Sequence, residues 1–396
     1  MVDIAELTTL LTPAGLQLVD EVGALSSTAE VARAVSRLRA AGHSPELVSA
    51  VVSQASLRVR ARAKFGEFAD RMLFSRAGLE QATRLSVAAR HAGRFRAAGI
   101  RRVADLGCGI GGDALGMAAL GLEVSAVDAD EVTAAIAAFN LAPFGESVTV
   151  AHGRAEDADP GAADAVWLDP ARRSAGHGET VRVRAADYSP PLPWAWEQLR
   201  ARPGGMKLGP AFDRDELPHD VEAQWVSADG STIELVAWSG ALARPGVRRA
   251  ALVTRGDDAW ELTAAADAAD EPVRELGAFV HEPDGAVIRA RLIGDVARAL
   301  SAGMLAPAIA YLTGDAALTS PFVSSFRVRE TLPFETRALA KALRARGIGT
   351  LEIKKRGVDV DPAALRTKLG LRGDAAATLL LTRIGARRLA VLADRV

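Results

Sequence analysis

Residues 102–128, RVADLGCGIGGDALGMAALGLEVSAVD, restrict the fold of this chain more than any other stretch. Glycines at 107, 109, 111 and 112 rule out a continuous helix or strand there, because element interiors tolerate glycine poorly. Val103 and Ala104 close a short apolar strand, and residues 105–112 turn the chain. Residues 113–120 place Ala, Leu and Met on successive helical turns, and Gly121 ends that helix. Residues 124–127 form a second strand that delivers Asp128. This is one β-α-β unit with a glycine turn after the first strand and an acid after the second. Glycine permits positive φ and carries no Cβ, so a ligand can lie against the backbone. The helix start adds unpaired N–H groups. An acid at the end of the second strand can accept both hydrogen bonds of a ribose diol. The layout predicts a nucleoside site.

The nucleoside is narrowed by Asp105. A carboxylate at that position repels a pyrophosphate and suits a cationic amino-acid tail. The dinucleotide fingerprint G-x-G-x-x-G also differs from the G-C-G-I-G-G found here. A Rossmann-type unit that binds NAD, or binds nothing, is the competing reading. The run D-L-G-C-G-I-G-G-D resembles motif I of the class I S-adenosylmethionine-dependent methyltransferases. That resemblance implies an α/β fold, a class I methyltransferase (Rossmann-like) sheet, with S-adenosylmethionine as cofactor. It places Gly107, Gly109 and Gly111 against the cofactor, Asp105 towards its methionine end and Asp128 on its ribose hydroxyls.

Upstream, residues 7–11, 15–22, 29–41 and 45–68 show apolar spacing of three and four, so an N-terminal helical region is expected. Ser27 or Thr28, with Glu30 near the first turn, marks a helix start. Residues 79–95 read as one long helix leading into the first strand. In many RNA and DNA methyltransferases a segment just before motif I folds back on the methionine end of the cofactor. Phe74 and Gln81 resemble that segment. The alternative is a core aromatic and a solvated helix residue, and both readings stay open.

Downstream, residues 131–141 read as a helix and residues 147–151 as a third strand. Many class I methyltransferases follow that strand with an acid that accepts from the adenine amino group. Arg154 stands there and a guanidinium has no acceptor, so the role falls to Asp157, Glu156 or backbone. Residues 165–168 form the fourth strand and deliver Asp169-Pro170-Ala171-Arg172-Arg173 to its carboxyl end, where ligands of open α/β sheets sit. DPARR resembles motif IV of amino-methylating enzymes, whose acid and proline hold the acceptor. Asp169, Pro170 and Arg172 are therefore the candidate catalytic residues. Ala171 replaces the second proline of that motif and Arg172 its aromatic, so an acceptor other than an exocyclic amine is equally open. An Arg plane can stack on a base or contact phosphate, or simply neutralise nearby acids. Residues 176–193 read as a long loop over the substrate.

Residues 206–208, 224–227, 231–238 and 249–254 read as strands, the last two as an antiparallel sheet edge, and the acidic, Ala-rich stretch after Glu261 as a boundary. Residues 287–305 read as helical and residues 308–313 as a strand. From residue 326 the order β-α-β-α-β suits a small α+β domain. LPFE, LEIKKRGVDVDPAALRTKL and LRG resemble the C-terminal domain of a bacterial methyltransferase family described as THUMP-like, which implies RNA as partner. Lys354, Lys355, Arg356, Arg366, Lys368 and Arg372 are the candidate RNA-binding residues, expected on one face. The expected domains are residues 1–96 (helical), 97–265 (methyltransferase), 266–325 (connector) and 326–396 (THUMP-like).

Formal net charge is −1, which gives no global attraction to nucleic acid, so any RNA contact needs a local patch. DNA is not expected. Cys108 is the sole cysteine, so no internal disulfide or cysteine metal cluster forms, and no metal is expected. The acidic start MVDIAELTTLLTPAG lacks a basic signal region, and no apolar run approaches about 18 residues. A cytoplasmic protein is expected. The function expected is methyl transfer from S-adenosylmethionine to a base in tRNA or rRNA. Small-molecule or protein methylation with an assembly role for the C-terminal domain, and non-catalytic RNA binding, are the alternatives.

Overall fold

The computed structural model describes residues 4–172 and 188–396. Contacts divide the chain into two compact units, Met1–Leu208 with Ala237–Ala243, and Gly209–Val236 with Arg244–Val396. This division differs from the expected domains. The helical region and the glycine-turn fold share one unit, and the expected connector shares the other with the C-terminal domain.

The first unit begins with helices α1 (Ile4–Leu10), α2 (Pro13–Val22), α3 (Thr28–Ala40) and α4 (Pro45–Phe65). Thr12, Ser27 and Ser44 each accept a backbone N–H of the helix they start. Ser27 and Glu30 complete a reciprocal capping box. Helix α4 is the centre of this layer, with α1, α2 and α3 packed on it. Helices α5 (Arg76–Gln81) and α6 (Leu85–Ala97) follow, in place of the single helix expected over residues 79–95. The break has a physical cause. Lys64 Nζ donates to the carbonyls of Leu79, Glu80 and Ala82 at 2.8, 2.8 and 2.7 Å. Thr83 turns inwards to bond Asp113.

The sheet of this unit contains β1 (Arg102–Leu106), β2 (Glu123–Asp128), β3 (Val148–His152) and β4 (Ala165–Leu168). A short pair, β5 (Ala171–Arg172) with β6 (Tyr188–Ser189), precedes the last strand, β7 (Gly204–Leu208). The parallel strands lie in the order β7-β4-β1-β2-β3. Helices α7 (Gly112–Ala119), α8 (Glu131–Leu141) and α9 (Leu192–Ala201) make the connections. The order in which the chain adds strands reverses at β1, with β2 on one side and β4 on the other, so a crevice opens beyond the carboxyl ends of these parallel strands. Trp167 of β4 anchors the floor beneath it. Its ring lies 4.7 Å from His91, 6.1 Å from Phe95 and 5.6 Å from Trp238, and all of these side chains are buried. The expected loop over residues 176–193 falls largely on residues 173–187, outside the described ones.

In the second unit β8 (Glu222–Ala228) is followed by β9 (Ser231–Ser239), whose end belongs to the first unit. Strand β10 (Arg249–Arg255) pairs with β8 in parallel and with β11 (Asp258–Ala264) antiparallel. Glu261, expected at a boundary, instead lies within β11 and bonds Arg244 and Gln224.

The remaining strands form a seven-stranded sheet in the order β13-β14-β12-β15-β18-β17-β16. They are β12 (Phe279–Pro283), β13 (Gly303–Ala306), β14 (Ile309–Gly314), β15 (Val323–Leu332), β16 (Ile348–Lys355), β17 (Ala375–Ile384) and β18 (Arg387–Arg395). Residues 266–325 are therefore no mere connector, because β12 pairs with β15 on one side and β14 on the other. Residues 287–305, expected to be helical throughout, contain α10 (Gly285–Arg289) in part, then α11 (Ile293–Ala299) and the start of β13. Helices α12 (Thr336–Ala345) and α13 (Pro362–Leu369) cover one face of the sheet through Leu339, Leu343, Leu365 and Leu369, packed on Leu351 and Ile353. The other face holds a second core around Tyr311, Phe326, Leu380 and Val391.

Candidate cofactor and acceptor site

Four acids stand at the glycine turn and the strand ends around it: Asp105 on β1, Asp113 on α7, Asp128 on β2 and Asp169 after β4. The turn itself is held by β2. Gly107 N and Cys108 N both donate to Val127 O at 3.0 Å. Gly107 has φ +108°, and a Cβ there would meet the Asp169 carbonyl at 3.2 Å. Only glycine lets the turn and the β4 end approach so closely. Gly109 has φ +56° with nothing within 4 Å of a Cβ position, so the backbone faces open space there.

Asp128 is partly buried. Its Oδ2 accepts from Gly109 N and its Oδ1 from Asp130 N, both at 2.9 Å. A carboxylate has about four lone-pair sites, so each oxygen can accept once more, as a ribose diol requires. Burial pushes its pKa up, against the two backbone donors.

Asp105 is 1% exposed, and among the described residues neither of its carboxylate oxygens has a hydrogen-bond partner. Burial, then Asp113 and Asp169, push its pKa well above the ordinary range. A buried carboxyl without a donor is a costly arrangement that a cationic ligand relieves. The ammonium of an amino-acid tail is such a ligand, so the residues present fit S-adenosylmethionine.

Beside Asp105 lies a network that sequence reasoning missed. Lys207, at the end of β7, pairs with Asp169 Oδ2 and reaches Asp113 Oδ2 at 3.5 Å and Thr83 Oγ1 at 2.9 Å. Asp113 also accepts from Thr83 Oγ1 at 2.7 Å and lies 2.8 Å from His91 Nδ1. Burial alone would raise the Asp113 pKa, but Lys207, His91 and Thr83 outweigh it and hold the carboxyl far below its usual range. Asp113 is thus an anion held in place, and Lys207 a cation shared between it and Asp169. The signals were Asp113 inside the glycine run and Lys207 at a strand end; nothing local joined them.

Comparison with known proteins settles the family. Two curated relatives, from Mycobacterium tuberculosis strains CDC 1551 / Oshkosh and ATCC 25618 / H37Rv, are named uncharacterised S-adenosylmethionine-dependent methyltransferases. Each is 37% identical over 359 residues, 88% of this chain and 96% of the relative. The chain belongs to the S-adenosylmethionine-dependent methyltransferases. The fold agrees with a crystal structure of a proposed methyltransferase from Porphyromonas gingivalis W83, with a TM-score of 0.71 at 22% identity, covering 94% of this chain and 99% of that one. A THUMP domain-like family model matches residues 323–395, and a domain of unknown function matches residues 3–61.

In this methyltransferase Asp169 is 34% exposed on its side chain and Pro170 is buried. Arg172 lies in β5, but its side chain is outside the described ones. Gly111, φ +86°, caps α7. Phe74 is fully buried and packs on Phe65 with the rings tilted by 46° and their centroids 5.7 Å apart, the arrangement of a core aromatic. Its segment does fold onto motif I. Asn140 binds Leu73 N and O and also Ile110 O, at 2.8, 3.1 and 3.0 Å. Gln81 is exposed at the end of α5. Asp157 is 76% exposed with Arg154 3.8 Å away, and Arg154 bonds Glu156 at 2.6 Å. Burial pushes the Cys108 thiol well up, which leaves it a filler rather than a nucleophile.

The basic residues of the C-terminal domain do not share one face. Strand alternation puts Lys354 and Arg356 on the face away from the helices. There Lys354 bonds Glu282 at 2.5 Å, and Arg356 reaches the same carboxylate at 3.5 Å. Lys355 projects to the helix face, where Arg366 and Lys368 are exposed on α13 and Arg372 follows. Among the described residues none of these four carries an ion pair. No group of three or more His, Cys, Asp and Glu is arranged to hold a metal, and no helix is long and apolar enough to cross a membrane, among the same residues.

Proposed function

We propose that this methyltransferase acts on RNA, modifying a base in tRNA or rRNA. The observation that carries the cofactor half is the Asp105 carboxyl, buried without a donor beside an open glycine turn. The RNA half is supported by the THUMP domain-like match over residues 323–395 and by exposed Lys355, Arg366, Lys368 and Arg372.

Bound S-adenosylmethionine supplies an electrophilic methyl group on a positively charged sulfur. The chain's residues position and desolvate. Asp105 receives the cationic tail, Asp128 the ribose hydroxyls and the backbone at Gly107, Gly109 and Gly111 the body of the ligand. Asp169 and Pro170 hold the acceptor, with Lys207 fixing the Asp169 carboxylate. No covalent enzyme intermediate is needed, since placement and exclusion of water supply the catalysis. Asp157 is the proposed reader of the adenine amino group, and the cytoplasm the proposed location.

Two measurements test this. Calorimetry with S-adenosylmethionine should show at least tenfold weaker binding by Asp128→Ala, about 1.4 kcal/mol; equal binding by both removes the cofactor assignment. Mass spectrometry of nucleosides from cells with and without the gene should show loss of one methylated nucleoside from tRNA or rRNA. An unchanged profile in both would turn the assignment towards a small-molecule or protein acceptor.

A further inference from the structure

A groove of about 1090 Å³ lies between α3, α4, α5 and the first turn of α8. It is larger than roughly 300–1,000 Å³, the usual range of small-molecule pockets. One wall comes from the region matched only as a domain of unknown function, residues 3–61. The opposite wall is the turn after the ribose acid Asp128, at Asp130, Val132 and Thr133. No role described so far uses this space.

Its lining has a definite chemistry. Arg39, Arg60 and Arg76 enter from three different helices, α3, α4 and α5. On α4, Ser49, Ser53, Ser56 and Arg60 recur at helical spacing and so share one face. Val48 and Val52 are buried beside them and give the wall an apolar base. The acids present are already engaged. Glu80 lies 3.8 Å from Arg60. Asp130 accepts from Thr133 N and Oγ1 at 2.8 and 2.7 Å. Arg39 and Arg76 are exposed, and among the described residues neither carries an ion pair.

Guanidinium forks match phosphate oxygens, and hydroxyls donate to phosphate and sugar. Apolar side chains accept the faces of bases. Length separates a strand from a lone phosphate. Ser49 and Arg60 stand eleven residues apart on α4, about 16 Å at 1.5 Å per residue. That is several times the axial rise of about 3.4 Å per phosphate along one strand of a duplex, so the wall is long enough for more than one nucleotide. We propose that this groove seats a single-stranded segment of the substrate RNA, with Arg39 and Arg76 on its phosphates. The assignment rests on the RNA reading above and deepens it. The helical region, and not the THUMP-like domain alone, then carries substrate next to the cofactor's ribose end.

The test uses the full chain, bulk tRNA and the double substitution Arg39→Glu/Arg76→Glu. Both side chains are exposed, so folding should survive, which thermal melting checks. Expected are at least tenfold weaker tRNA binding and a salt slope shallower by about 1.4, two contacts at about 0.7 each, with S-adenosylmethionine affinity unchanged. Photocrosslinking of 4-thiouridine-bearing tRNA to the wild type, read by peptide mass spectrometry, should give adducts within residues 35–60 or 75–80. Wild-type tRNA binding that survives charge reversal, with adducts elsewhere, overturns the groove and leaves the RNA reading standing. No tRNA binding by the wild type overturns both. Loss of S-adenosylmethionine binding in a folded double variant would assign the groove to the cofactor instead.

Discussion

Asp105 and Asp113 are both buried acids of the same site, yet they act on stability with opposite sign. Asp105 is pushed up by burial and by Asp113 and Asp169. Its folded form keeps a proton that the unfolded chain releases near pH 4, about the ordinary Asp value. Stability from this group is therefore full below that pH and is lost as pH rises towards the folded pKa. Asp113 is held down by Lys207, His91 and Thr83 against burial, so its contribution is present at neutral pH and is lost as pH falls below the ordinary range. Asp105→Asn should accordingly stabilise the protein at pH 7, because an amide of the same shape carries no proton that the folded state must hold against neutral solvent. The advantage should shrink as pH is lowered towards about 4. The same variant should bind S-adenosylmethionine at least tenfold more weakly, because the neutral amide cannot match an ammonium. Urea titrations from pH 4 to 8, with calorimetry at pH 7, read both effects. A variant less stable than wild type at pH 7 would mean that Asp105 has a partner in the folded protein. Function placed this carboxyl where folding alone would not.

At the scale of elements, what was legible and what was not divides by distance along the chain. Helices α2 to α4, α8 and strand β4 follow from local periodicity and local caps, such as Ser27 with Glu30, and the glycine turn announces itself within residues 105–112. The break between α5 and α6 is set instead by Lys64, Asp113 and Lys207, which are remote in sequence and have no local signature. The same holds for Asn140, one polar residue in an Ala-rich helix, which pins Leu73 to the turn at Ile110. Strand β14 was legible as an apolar run over residues 308–313, whereas β12 and β13 were hidden because such short strands become recognisable only through their partners, here β15 and β14. Asn140→Leu tests the element-level claim. It leaves Leu73 N and O and the Ile110 carbonyl without their bonds in a buried place, at about 1–3 kcal/mol for each group not rescued by water. Denaturant midpoints should fall accordingly, and S-adenosylmethionine should bind more weakly because the turn loses its brace. Full stability in this variant would show that α8 does not hold the Leu73 segment in place.

For the whole molecule, a net charge of −1 means that the proposed attraction to RNA has to come from patches rather than from an overall field. The sequence placed six cations in residues 354–372 but could not tell which face of β16 each would take. The fold decides this, and it separates two kinds of lysine. Lys354 is held by Glu282 and lies 5.9 Å from the Phe326 ring centroid, which makes it part of the second core's edge. Arg366 and Lys368 stand exposed on α13 and remain available to phosphate. Lys354→Met should therefore lower the denaturant midpoint while leaving the tRNA salt slope unchanged. Arg366→Glu/Lys368→Glu should do the reverse: unchanged stability, about tenfold weaker tRNA binding, and a slope shallower by about 1.8 for two contacts to duplex phosphates. Filter binding at two or more salt concentrations, alongside urea melts of each variant, separates the outcomes. If Lys354→Met alone flattened the slope, the RNA would lie against the strand face and Glu282 would have to release its partner on binding. If neither variant changed tRNA affinity, the C-terminal domain would have no share in holding the substrate, and residues 323–395 would serve assembly instead.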